Sequence, residues 1–210
     1  MCKFALLCAF YIFIILIAIW KIIMNKKSKT RKLILDIATE LFLKKRSSHV
    51  SLEEVADTAG LARRTLYYHF KNKECLVLAI VEPIFKTGLD YIGTFNDIQG
   101  IKIKDICGLC LTLWKKHDKN LDLLNMLDFE NFKDVITLHN RFKAAYIELF
   151  KKVNDTNIDL RGDIMSIAAI IFRCFVPILM KIHKMPDYEA RFINSIYGLI
   201  EGISNPALSN

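Results

Sequence analysis

The stretch Ser51-Leu52-Glu53-Glu54-Val55-Ala56-Asp57-Thr58-Ala59-Gly60-Leu61-Ala62-Arg63-Arg64-Thr65-Leu66-Tyr67-Tyr68-His69-Phe70-Lys71-Asn72-Lys73-Glu74 decides the fold. Ser51 with Glu54 three residues later has the spacing of a capping box and opens a helix whose stripe is Leu52, Val55, Ala56 and Ala59. Gly60 ends that helix. A second short helix runs from about Ala62 to Phe70, with Leu61, Leu66 and Phe70 spaced to face a core. Asn72 caps a further helix starting near Lys73. Two short helices across a tight glycine turn have helix-turn-helix spacing, in which the second helix enters the major groove of DNA.

The outward side chains of that second helix suit such a role. Arg63, Arg64, Thr65, Tyr67, Tyr68 and His69 project away once Leu66 and Phe70 face in. Arginines bond guanine edges bidentately, while hydroxyls and an imidazole suit phosphates. Lys73 adds charge at a helix start, where free N–H groups already favour a phosphate. Upstream, Leu33, Ile34, Ile37, Ala38, Leu41 and Phe42 form the stripe of a leading helix. Charge is concentrated in the same region. Twelve Lys and Arg stand against six Asp and Glu between residues 25 and 76, whereas sixteen face sixteen beyond it. A basic module on a neutral body suggests a polyanionic partner.

Over Thr30–Leu76 the chain resembles the TetR/AcrR family of transcriptional regulators, most specifically from Thr65 to Glu74. The resemblance implies that Arg63, Arg64 and Thr65 read bases, and that Tyr67, Tyr68 and His69 contact phosphates and base edges. It implies that Ser51 meets the DNA backbone at a helix start and that Lys73 binds a phosphate. Arg63-Arg64 is not a fixed part of the family pattern, so the pair is expected to set this chain's own operator preference. The likeness covers under a quarter of the sequence but implies a helical effector-binding and dimerisation domain after it. A ligand-responsive repressor then follows, acting as a homodimer through about residues 162–203 on a palindromic double-stranded DNA operator. No cofactor is implied, only a small-molecule inducer.

The rest of the 210 residues is consistent with that outline. Apolar residues make up 53% of the chain and charged residues 25%, which excludes a disordered chain. Eight Gly and four Pro argue against a turn-rich all-β protein. Helical spacing recurs throughout, so the expected fold is all-α: a three-helix DNA-binding head at 25–76 and a helical body at 77–210. Breaks are expected near 96–100, 117–120, 155–162 and 185–187, and Pro177 is expected to kink the apolar segment Ile164–Ile182. Dense apolar surface on that segment supports its use in dimerisation. Trp114, His139, Phe142, Tyr146 and Phe172 are candidates to line an effector pocket, although aromatic residues at helical spacing are more often plain core.

Residues 1–24 read as an extra hydrophobic helix. Phe4–Trp20 carries no charge, and Lys21 with Trp20 suits a membrane interface. The basic flank Lys26, Lys27, Lys29, Arg31 and Lys32 would place everything downstream in the cytoplasm. A rival reading takes Met24 as the start of a soluble basic domain and the residues before it as an upstream extension. Asn25–Lys29 spans at most about 17 Å fully extended, which would hold DNA close to anionic headgroups and favours Met24. The alternative function is a membrane-anchored helical interaction protein whose basic segment binds anionic lipid.

Other signals weigh less. Cys107-Gly108-Leu109-Cys110 has redox or metal spacing, but both cysteines fall on the stripe of Ile103 and Trp114, as buried small hydrophobes would. No second pair completes a zinc site. Asp128, Glu130 and Asp134 look like a solvated helix start. With no phosphate loop, no His-Glu-x-x-His and no nucleophile elbow, catalysis is not expected.

Overall fold

The computed structural model describes residues 2–45, 49–98, 100–127, 132–155 and 164–204, with side chains from Leu16 onward. Among the described residues there are eight helices and no strand. They are α1 (Cys2–Lys45), α2 (Leu52–Thr58), α3 (Arg63–His69), α4 (Lys73–Gly93), α5 (Ile103–Met126), α6 (Lys133–Lys151), α7 (Ile164–Ile182) and α8 (Tyr188–Ser204).

The head forms as local chemistry dictates. Ser51 Oγ accepts the Glu54 N–H at 3.1 Å and starts α2. Gly60, at φ +64°, takes the left-handed conformation that a side chain would resist, and the chain turns there into α3. Asn72 Oδ1 accepts the Cys75 N–H at 2.8 Å and starts α4. Ile34, Ala38 and Phe42 of α1 bury against Val55, Ala56, Leu66 and Phe70.

Three expectations need correction. The extra hydrophobic helix is not separate, because α1 runs unbroken from Cys2 to Lys45 and its first part continues into the leading helix of the head. The capping box is half built. Glu54 turns instead to Lys45, whose ammonium lies 2.5 Å from Oε1, and so ties α2 to the end of α1. The break near 117–120 is a bend: α5 continues through His117, whose backbone leaves helical geometry (φ −142°, ψ 26°). His117 Nε2 meets Thr87 Oγ1 at 2.8 Å, which holds the bend against α4. Of the acidic cluster, Asp128 and Glu130 lie outside the described residues.

In the body α4 packs against α5 and α6, while α5 also contacts α1, α7 and α8. Ile164–Ile182 is the one helix with described side chains that is long and apolar enough to cross a membrane. Ile167, Ile171 and Leu179 are fully buried, so the helix serves as part of the core. Cys107 and Cys110 are buried too, and burial pushes the Cys107 thiol up to about 12 and the Cys110 thiol well above its ordinary value. Neither is a ready thiolate, which argues against thiol sensing. At the end away from the head, Asp155 Oδ2 accepts the Ile103 N–H at 3.2 Å and the Tyr197 hydroxyl at 3.1 Å. One carboxylate thereby caps α5 and fastens α8.

Candidate nucleic-acid interface

Helix α3 is anchored on one side and open on the other. Leu66 is fully buried and Phe70 nearly so, while Arg63, Arg64, Tyr67 and Tyr68 are exposed and Thr65 and His69 half-buried. A rigid inner face fixes where the two arginines emerge, as base readout requires. Ser51 is exposed at the start of α2, and its hydroxyl accepts from the Glu54 N–H.

Two of the expected phosphate contacts are engaged within the protein. The Tyr67 hydroxyl donates to Glu53 Oε1 at 2.8 Å, a bond that lowers the pKa of Glu53 and raises that of Tyr67. Tyr67 therefore ties α3 to α2, and its hydroxyl must change partner before it can donate to a phosphate. Lys73 is half-buried, its ammonium 6.0 Å from the centre of the Phe42 ring, and burial lowers its pKa.

Sequence reasoning missed a clamp from α1. Arg31 Nη1 donates to the His69 carbonyl at 3.2 Å, and its guanidinium stacks 4.3 Å from the centre of the Phe70 ring. Such a cation over an aromatic face contributes about 0.5–2 kcal/mol. Lys27, one turn earlier, sits 5.0 Å from the centre of the Tyr68 ring. The basic flank of α1 thus lies beside the recognition helix. The signal was present as two cations at i and i+4, though nothing in the sequence told which helix they would meet.

The effector candidates divide as well. A cavity of about 120 Å³ lies among α4, α5, α6 and α7, walled by Ile84, Phe85, Leu113, Phe142 and Phe175. A second, of about 260 Å³, opens between α6 and α7 and takes in Lys143, Tyr146 and Arg173. Asn125, His139 and Phe172 border both. His139 lies edge-on to Phe85 and Phe172, at 6.1 and 5.6 Å between ring centres. Trp114 is not in either wall; it packs against His183, 5.5 Å away.

Burial is the leading cause that lowers the pKa of His69, His117 and His139 below 6.5, helped by Arg31 and Lys27, by Lys116, and by Lys143 respectively. A histidine whose folded pKa is depressed takes up its proton first in the unfolded chain. Stability is therefore full above about pH 6.5 and falls as pH drops below it. Thermal melts at pH 7.5 and 5.5 check this; a higher midpoint at pH 5.5 would contradict it.

Comparison with known proteins agrees with this geometry. Residues 34–80 match the family of bacterial regulatory proteins, tetR family. The uncharacterized HTH-type transcriptional regulator YvkB of Bacillus subtilis is 26% identical over 188 residues, covering 83% of this chain and 97% of that one. The negative regulator of the biofilm operon icaADBC, IcaR of Staphylococcus epidermidis, is 23% identical over 168 residues, covering 80% and 78%. Among solved structures, NalD, the secondary repressor of the MexAB-OprM multidrug efflux pump in Pseudomonas aeruginosa, superposes with a TM-score of 0.61 at 20% identity, covering 83% and 96%. An anchored helix-turn-helix with its arginines turned outward, a match to the tetR-family model over residues 34–80 and similar regulators aligned along most of their length make the chain a DNA-binding transcriptional regulator that resembles the TetR family.

Proposed function

We propose that this regulator is a repressor in the cytoplasm, that it binds a palindromic operator as a two-fold dimer, and that a small molecule in the body releases it. The observation that carries the reading is the exposed pair Arg63 and Arg64 on a helix whose far side is locked into the core. IcaR and NalD, to which the chain is similar, are named as negative regulator and repressor. Exposed Met165, Met180 and Ile203 on α7 and α8 support a dimer face over 162–203. Two copies would set their recognition helices about one DNA turn, roughly 34–36 Å, apart.

A route from cavity to head supports the ligand response. Helix α6 supplies His139, Phe142 and Tyr146 to the cavities, and at its start the Asp134 N–H donates to Glu74 Oε1 at 3.1 Å. Glu74 stands in the first turn of α4, five residues after His69. A ligand that shifts α6 would therefore act on the junction between α3 and α4, provided it binds one head position better than the other.

A second reading is favoured by one observation: Leu16, Ile19, Trp20, Ile22 and Ile23 are exposed on α1. This surface would suit a membrane. Because α1 is continuous, Asn25–Lys29 rises only about 7 Å. Lipid attachment would then hold the clamp residues Lys27 and Arg31 against headgroups, in competition with DNA.

Selection from a random duplex library, with sedimentation of the complex, tests the proposal. An enriched inverted repeat bound by two copies of the 24.3 kDa chain is expected. No enrichment over bulk fragments, or a half-site bound by one copy, would overturn it.

A further inference from the structure

The two cavities share a wall but differ in chemistry. The smaller is lined by phenyl rings: Phe142 lies 5.8 Å from Phe85 and 5.9 Å from Phe172, between ring centres. The larger is bordered by Lys143 and Arg173, both exposed, and no Asp or Glu is among the described residues lining either cavity. Two cations at a mouth, with no carboxylate among its described lining residues, concentrate an anion there.

A separate observation points the same way. Tyr146 lines the larger cavity and is 2% exposed, and its Oη is the buried side-chain polar atom left without a hydrogen-bond partner among the described residues. Its ring packs on Phe172 at 5.4 Å, against the shared wall. An unpartnered buried hydroxyl costs stability, and such a group calls for a partner that the protein alone does not supply.

We infer that the body binds a small amphiphilic anion, an aryl or medium-chain alkyl carboxylate, with its apolar part among the phenyl rings and its carboxylate toward Lys143 and Arg173, accepting from the Tyr146 hydroxyl. This deepens the effector-responsive reading given above and rests on it.

Calorimetry on the full-length chain with octanoate, octan-1-ol and octylammonium, probes of one length and three charges, tests the inference. Octanoate binds about tenfold tighter than octanol, as a charge-assisted contact requires, and octylammonium binds weakest. In the double variant Lys143→Gln/Arg173→Gln the advantage of octanoate over octanol falls to about threefold or less, with octanol unchanged. Tyr146→Phe acts in opposite senses: the melting temperature of the free protein rises, because the unpartnered hydroxyl is gone, while octanoate affinity drops several-fold. A tyrosine kept only for packing would not separate the two.

Equal binding of the three probes, a preference for the ammonium, or a carboxylate preference that survives the double change overturns the inference. Failure of the effector-responsive reading looks different: octanoate binds as expected, yet affinity for the selected operator does not change.

Discussion

Changing Arg63 and Arg64 together to Ala lowers affinity for the selected operator by about a hundredfold or more, since each bidentate base contact contributes about 1–3 kcal/mol of discrimination. Both side chains are exposed and neither belongs to the core, so the melting temperature stays where it was. The salt dependence separates base reading from phosphate contact. If the pair reads bases, the loss is confined to the operator and the slope of log affinity against log salt is kept. If it only neutralises phosphates, operator and random duplex weaken together and the slope falls by about one per arginine. That second result would remove the specificity assigned to α3. Extending the change to His69 and floating the protein with anionic vesicles tests the lipid reading: lipid binding that falls along with these residues would put the basic face on a membrane instead.

The second large effect comes from a close approach in the body. A Cβ built on Gly88 would stand only 2.3 Å from Phe142 Cε2. Phe142 is 4% exposed and packed between Phe85 and Phe172, so its ring has little room to withdraw except into the cavity that it walls. Gly88→Ala is therefore an overpacking change, expected to cost about 1–3 kcal/mol and, in a chain of this length, to lower the melting temperature by roughly 3–10 °C. The second variant Phe142→Leu takes away the ring edge that the new methyl meets. On the Gly88→Ala background it is expected to be less harmful than on the wild type, a coupling that a double-mutant cycle measures. An unchanged melting temperature in Gly88→Ala, or strict additivity in the cycle, would show that α4 and α6 do not meet as described.

What the sequence revealed best was chemistry acting over three or four residues. Ser51, Gly60 and Asn72 mark the bounds of α2, α3 and α4 because caps and left-handed turns are local devices. The unity of α1 was also legible, since no Gly or Pro interrupts residues 2–45, but the change from apolar to basic composition reads like a boundary. Hydropathy changes along a helix without breaking it. At His117 the polar cluster that resembled a loop is only a bend, because Thr87 of another helix supplies a partner that no window of sequence contains.

The site was harder to read for the same reason. Arg31 with His69, Glu53 with Tyr67 and Glu74 with Asp134 join residues from different helices, and periodicity carries no information about which helices will meet. Tyr67 was correctly turned outward, yet its hydroxyl is held by a carboxylate beside it. Trp114 shares a helical stripe with true core residues and ends against His183, whereas Lys143 and Arg173, which look like ordinary solvated charges, border a cavity.

The clasp at Asp155 would bias how the body can move. It holds the first turn of α5 and the middle of α8 together, and beside it the Asn154 N–H bonds the Ile101 carbonyl at 2.8 Å. With the distal end pinned in this way, the helices would move as rods pivoting from a common foot. Strain introduced halfway up, near Phe142, would then displace the tips beside Glu74 more than the pinned end.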